Sequence, residues 1–231
     1  MSMKYGFFFY FLIFSFGFAE NLDEKIEKFI LDNPEVILKS LENYEKKKES
    51  DLRSENKEKI NKKKKLIFNS DNGLYMGNPN AEKIIVEFFD YNCSYCKKAH
   101  KDIKRLLKNY KNFKVVYKNF PILSEKSFEL AVFSLVIAEK DQRKFETFHN
   151  MLMNVKGLLS DDKLRNILDE LGFNYDELKK TVDDQSIRKK IKEDFDLAEY
   201  LGLKGTPAFI LDDEIIFGYV GFEELSSKLI D

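Results

Sequence analysis

The sequence predicts an α/β domain that carries an all-helical insertion and is preceded by a separate helical segment. Three observations lead there. Ile84-Ile85-Val86-Glu87-Phe88-Phe89 is an apolar run broken by one acid, the pattern of a central strand covered on both faces. Asp90-Tyr91-Asn92 then makes a turn into a helix from Cys93 to about Asn109, and Lys114 to Tyr117 supplies a second β-rich run, so β-α-β follows. From about Ser124 to Gly202 there is no strand signal, yet a hairpin closes the chain beyond it.

Taken in order, the elements begin with residues 22–65. Leu22, Ile26, Phe29 and Ile30 form an apolar stripe at helical spacing. Asn33-Pro34-Glu35 reads as a helix start, with Asn at the N-cap, Pro at the first position and an acid in the first turn. Ile37, Leu41 and Tyr44 continue the stripe, which then fades into Lys and Glu as far as Lys65. A helix from Pro34 to Lys64 would reach on the order of 45 Å. Residues 45–65 are expected to be a charged, solvated linker, since the run Lys62 to Lys65 has acids just upstream. The stripe over residues 22–44 has no core of its own to join, so it most simply buries its face against a copy of itself, which makes a homo-oligomer. Within the insertion, Phe128, Val132, Leu135 and Val136 mark one helix, and Phe145, Phe148 and Leu152 another. Leu164, Ile167, Leu168 and Leu171 mark a third, ended by Gly172, and Ile187 to Leu201 a last, ended by Gly202. Ala208 to Leu211 and Ile215 to Tyr219 flank the turn Asp212-Asp213-Glu214, and Phe222 to Ile230 forms the closing helix. The expected domains are therefore 1–19, 20–44, 45–65 and 66–231, with the insertion at about 124–202.

Composition narrows the function. Lys+Arg total 39 and Asp+Glu 40 among 231 residues, so the chain is nearly neutral although 34% of it is charged. That balance argues against a nucleic-acid partner, which needs a net basic surface. Hydrophobic content of 43% argues against wholesale disorder. At the N-terminus, Lys4 precedes an almost wholly apolar stretch from Tyr5 to Phe18, and Gly17 and Ala19 put small residues at −3 and −1 of a cut before Glu20. This is the layout of a secretory signal peptide. The alternative, a membrane anchor, is disfavoured because about 14 apolar residues fall short of the roughly 20 that span a bilayer.

Export gives the cysteines their meaning. Cys93 and Cys96 are the chain's two cysteines and share one Cys-Ser-Tyr-Cys motif. A structural disulfide gains with loop length, so a two-residue gap achieves little. A metal site would need further ligands, and His100 and His149 are the two imidazoles on offer. The spacing suits reversible redox chemistry best, with metal binding left as the alternative. A cysteine at a helix start meets unpaired N–H groups and the positive end of the helix dipole, which stabilise a thiolate, so Cys93 is expected to titrate below the free value of about 8.5 and to be the attacking sulfur. Cys96 lies one turn inward and would resolve the mixed disulfide. His100 is expected on a solvated helix surface and His149 in the packing of the insertion. No phosphate loop or Ser-His-Asp set is present.

Val86 to Lys98 and Gly205-Thr206-Pro207-Ala208-Phe209, in this order around an inserted helical block, resemble the DsbA-type branch of the thioredoxin superfamily. The resemblance covers about Leu66 to the end. The helices at 22–44 further resemble those of the suppressor-of-copper-sensitivity ScsC proteins, whose N-terminal segments can oligomerise. It implies a thioredoxin-like fold and a protein disulfide oxidoreductase of the periplasm. Electrons would pass through Cys93 and Cys96 with no dissociable cofactor, between thiol or disulfide proteins and a membrane redox partner that recycles the pair. Glu87 stands where the family places a buried acid that shuttles protons for the second cysteine; alternatively it points to an edge or pairs with Lys118. Thr206-Pro207 would be the cis-proline loop that presents its backbone to an extended substrate, against the plain reading of a trans Pro opening a strand. Ser94 and Tyr95 would face the substrate and tune the thiolate. Tyr95 and Thr206 lean toward isomerase-type members. The rival function is copper binding through the same thiols.

Overall fold

In a computed structural model, the structure describes residues 21–157 and 159–230, so the expected signal peptide at 1–19 lies outside the described residues. No helix among the described residues is long and apolar enough to cross a membrane. The chain divides into two compact units at Asp51/Leu52. In the first, α1 (Leu22–Asp32) is capped by the Asn21 side chain, and α2 (Pro34–Phe68) begins at the predicted proline. The described residues up to Asp51 include no buried one; Leu22, Phe29, Leu38 and Tyr44 stand exposed.

The second unit opens inside α2, and here the expected linker at 45–65 needs revision. The charged stretch stays in the same helix, braced by i,i+4 pairs such as Lys59–Glu55 and Lys62–Glu58. Ile60 and Ile67 are fully buried against the sheet, so the fold core starts near Leu52 rather than at Leu66. Two isolated apolar residues seven apart share one helix face, and that is enough to dock it.

Five strands follow: β1 (Tyr75–Gly77), β2 (Lys83–Phe89), β3 (Phe113–Asn119), β4 (Ala208–Leu211) and β5 (Glu214–Phe217). The sheet order is β1-β3-β2-β4-β5, with β2 and β3 parallel and the other neighbours antiparallel. The three-residue β1 is too short to show a period, and the sequence does not predict it. Strand parity separates two cores. Ile85, Phe89, Val115, Tyr117 and Phe209 face α3 (Ser94–Asn109), the closing helix α9 (Phe222–Ile230) and most of the insertion. Val86, Phe88, Val116 and Ile210 face Ile60 and Ile67 of α2, with Leu197 and Ala198 of the insertion's last helix.

That insertion comprises α4 (Glu125–Lys140), α5 (Gln142–Met153), α6 (Asp161–Glu170), the short α7 (Tyr175–Lys180) and α8 (Gln185–Tyr200). Ser124, Asp141, Ser160, Asn174 and Asp184 each accept backbone N–H groups at the helix starts. Gly172 and Gly202 take positive φ where α6 and α8 end, and the N–H after each reaches back to Leu168 and Ala198, as a Schellman cap requires.

Candidate active site: a cysteine pair at the start of α3

β2 ends at Phe89, and Asp90-Tyr91-Asn92 carries the chain over the sheet into α3. Asp90 fixes this turn. One carboxylate oxygen accepts the Asn92 N–H at 2.8 Å and the other accepts the Leu123 N–H at 3.0 Å. The Asn92 side chain donates to Ser127 and Ser124, so the first turn of α4 also holds the turn in place. An Asx turn at Asp90 is visible in sequence; its second partner, more than thirty residues on, is not.

Cys93 is the N-cap of α3, its N–H bonded to the Asp90 carbonyl. Its Sγ lies 3.2 Å from the carbonyl oxygen of Thr206, to which the thiol donates. Hydrogen bonding from the Cys96 thiol above all, helped by the Thr206 side chain and by the N–H groups of Cys96 and Tyr95, outweighs partial burial and lowers the Cys93 pKa to about 5. Cys96, one turn inward, is fully buried. Burial first, then its hydrogen bond to Cys93 and the charges of Glu87 and Cys93, push its thiol far up. Both cysteines are free thiols here, one poised to ionise and one held protonated.

Glu87 projects from mid-β2 into the same core, 1% exposed, with neither carboxyl oxygen hydrogen-bonded. Burial, reinforced by the Cys93 charge, raises its pKa well above the usual carboxylate range, which favours the neutral carboxyl. The expected alternative partner, Lys118, is excluded by parity. Glu87 stands opposite Tyr117 in the register, one residue before Lys118, so the two side chains leave opposite faces. Lys118 instead lies 3.6 Å from Asp194 of α8.

The Thr206–Pro207 peptide is cis, and Pro207 is buried while Thr206 stays partly open. Ser94 and Tyr95 are exposed beside Cys93. The Tyr95 ring is 6.4 Å from that of Tyr219, whose hydroxyl donates to Asp102 at 2.7 Å. Leu123, Phe217 and Val220 are also exposed on the loops and strand that adjoin this end of the sheet. No sequence signal marked Tyr219 or Phe217.

His100 differs from expectation. It is 1% exposed, because Cys96, Ala99, His100, Ile103 and Leu106 form the inward stripe of α3. A residue four after the buried Cys96 shares its face. Burial lowers the His100 pKa to about 4, and neither ring nitrogen has a hydrogen bond of normal geometry. His149 is buried as expected, 5.1 Å from the His100 ring, and its Nδ1 shares a hydrogen bond of 3.2 Å with the Tyr91 hydroxyl. Among the described residues no three His, Cys, Asp or Glu side chains form a metal-binding group.

Comparison with known proteins finds the same fold. The thiol-disulfide exchange protein alpha-DsbA2 of Wolbachia pipientis superposes with a TM-score of 0.69 at 30% identity, over 77% of this chain and 96% of that one. A linker-deleted ScsC variant of Proteus mirabilis superposes with a TM-score of 0.70 at 22% identity, over 90% of this chain and 91% of that one, a likeness of fold. The Na(+)/H(+) antiporter NhaA 1 of Salinispora arenicola is 26% identical over 149 residues; the match covers 64% of this chain but 23% of the antiporter, so the chain spans about a quarter of that relative. The model of the DSBA-like thioredoxin domain matches residues 84–230, so the chain belongs to this family.

Proposed function

We propose that the chain is an exported enzyme that forms, reduces or isomerises disulfides in proteins of the periplasm, with isomerisation favoured. The observation that carries the reading is the pairing of an ionisable sulfur at an open helix start with a buried, protonated one above a neutral carboxyl.

The chemistry follows from those three groups. In the dithiol form the Cys93 thiolate attacks a sulfur of a substrate disulfide; the S–S bond breaks, and the leaving substrate thiolate takes a proton from water. The Cys93 charge disappears on forming the mixed disulfide, which removes one of the two influences that keep Glu87 protonated. Glu87 can then pass its proton to water and accept that of Cys96, whose thiolate attacks Cys93 Sγ; the bond from Cys93 to the substrate sulfur breaks, and the second substrate thiolate leaves and takes a proton from water. Two electrons leave the cysteine pair and two substrate sulfurs are reduced. Running the steps backward oxidises a dithiol, and stopping at the mixed disulfide lets a substrate rearrange its own bonds. Thr206, cis to Pro207 and within reach of Cys93, would hold the substrate backbone as an added strand. A membrane partner would reset the pair.

The isomerase preference rests on Tyr95, on Thr206 and on the exposed stripe Leu22, Ile26, Phe29, Ile37 and Leu41, which suits self-association that would gather several redox sites around one substrate. The copper-binding alternative has the two sulfurs to work with, since His100 is buried within the core.

The experiment is reactivation of a scrambled multi-disulfide protein by the full chain and by a chain beginning at Leu52, with Cys96→Ser as a trap. Reactivation by the full chain that collapses on truncation, together with a mixed disulfide accumulating in Cys96→Ser, is the expected result. Equal activity of both lengths would remove the isomerase preference, and absence of any mixed disulfide would sink the redox reading.

A further inference from the structure

The helix that presents Cys93 carries a strongly one-sided charge. α3 carries Lys97, Lys98, Lys101, Lys104, Arg105 and Lys108 against the single acid Asp102. All but Lys97 are exposed, and their spacing places them along the outer face of the helix. None of the six forms an ion pair with a described residue. Lys97 donates to the Val155 carbonyl, Lys98 lies over the Tyr95 ring and Arg105 over the Phe222 ring; Lys101, Lys104 and Lys108 make no hydrogen bond or ion pair with a described residue. Elsewhere several lysines of such runs are paired, although Lys47, Lys48, Lys64 and Lys65 of α2 form no ion pair with a described residue. On α8, Lys189, Lys190 and Lys192 are paired with Glu193, Glu139 and Asp196. On α2, Lys46, Lys59 and Lys62 are paired with glutamates one turn back.

Helix stability does not account for the stripe. Cations favour the last turn of a helix and acids the first. α1, α2, α4, α6, α7 and α9 follow that rule with acids in their first turns; α3, α5 and α8 have none there, and α3 places Lys97, Lys98 and Lys101 within its first two turns. Lys97 also faces the Cys93 thiolate, which raises its pKa against the larger opposite effect of burial. The remaining five exposed cations lead away from that sulfur along the helix. The one acid, Asp102, is held by the Tyr219 hydroxyl, which also places an aromatic pair at the head of the stripe.

We propose that this stripe is a docking surface for acidic polypeptide, and that it selects substrates carrying Asp or Glu near the reactive cysteine. The inference rests on the redox reading above and adds the substrate class. From Cys93 to Lys108 the helix rises about 22 Å, which an extended chain covers in about seven residues. The favoured substrate is therefore a cysteine with several carboxylates within about seven positions on one side. Tyr95 and Tyr219 receive the residues next to the sulfur, and the cations speed encounter by steering.

The test uses the full chain and three synthetic peptides of equal length, with one cysteine flanked by Glu, by Gln or by Lys. Each is made as its homodimeric disulfide for exchange kinetics with the dithiol chain, and with Ser for Cys for fluorescence anisotropy. At low ionic strength the Glu peptide should exchange about tenfold faster than the Lys peptide and bind measurably as the Ser form. In about 1 M salt, where charges are screened beyond roughly 3 Å, the gap should close. The triple variant K101Q/K104Q/K108Q should lose the discrimination while its rate with the Gln peptide stays unchanged. Discrimination among Ser peptides without any exchange would uphold the docking surface and remove the redox reading. Equal binding and equal rates for all three peptides would overturn the surface, as would capture of phosphatidylserine vesicles through the same lysines with no preference among the peptides.

Discussion

A neutral carboxyl with no hydrogen bond is an expensive thing to keep in a strand, and Glu87 is one. Replacing it with an apolar residue of similar size removes an unsatisfied group, so Glu87→Leu should stabilise the fold by about 1–3 kcal/mol while slowing resolution by Cys96. Because the folded state holds the Glu87 proton to higher pH than the unfolded chain does, this residue lowers stability as pH rises above about 4.5. Urea unfolding of wild type and Glu87→Leu at pH 5 and pH 8 should therefore show the larger gain at pH 8. His100 acts in the opposite sense. Its folded pKa of about 4 lies below the ordinary 6.5, so the unfolded chain binds the extra proton and stability falls as pH drops from 6.5 to 4. That loss amounts to about 3 kcal/mol, and His100→Leu should abolish it; an unchanged acid slope would show the ring to be hydrated. For Cys93, iodoacetamide alkylation should follow a titration centred near pH 5, with Cys96 unreactive throughout.

At the scale of elements, α2 is the one whose role changed between sequence and structure. Its charge pattern reads as a solvated helix, and most of its surface is one. Yet Ile60→Ala should cost about 2–4 kcal/mol, since Ile60 sits in the core beneath Val86 and Phe88, whereas Leu38→Ala, at an exposed position, should leave the folded monomer as stable as before. Chemical denaturation of the two variants separates these outcomes. The α4–α8 insertion contributes to the site as well as to the core. Its first turn holds Asn92, and α5 supplies His149 to the Tyr91 hydroxyl, so the turn before Cys93 is anchored from two helices. On the other face, Asp194 of α8 accepts the Asn119 N–H and lies beside Lys118, tying the insertion back to β3.

For the whole molecule, the division at Asp51/Leu52 sets the lengths worth comparing. A chain beginning at Leu52 keeps Ile60 and Ile67 and so keeps both cores, while one beginning at Leu66 loses Ile60 and should unfold at lower denaturant. Sedimentation of the full chain at micromolar concentration should show a homo-oligomer, and the Leu52 form should sediment as a monomer. A full chain that is monomeric would leave the stripe at 22–44 without the role proposed for it.

What short-range pattern carries, the sequence determined by itself: the β-α-β run through Asp90, the Cys93–Cys96 pair at a helix start, the hairpin, the closing helix, and the glycines that stop two helices. The family followed from the same residues, because motif order is linear information. Whatever depended on which face a side chain leaves, and on what packs there, only the tertiary structure decided. Glu87 and Lys118 are separated by the β2–β3 register. His100 is drawn inward by the stripe that Cys96 begins. Thr206 meets Cys93 across 113 residues of chain because β4 pairs beside β2. Tyr219 finds Asp102 across 117. Burial and pairing are properties of two surfaces at once, and a single sequence window contains one of them.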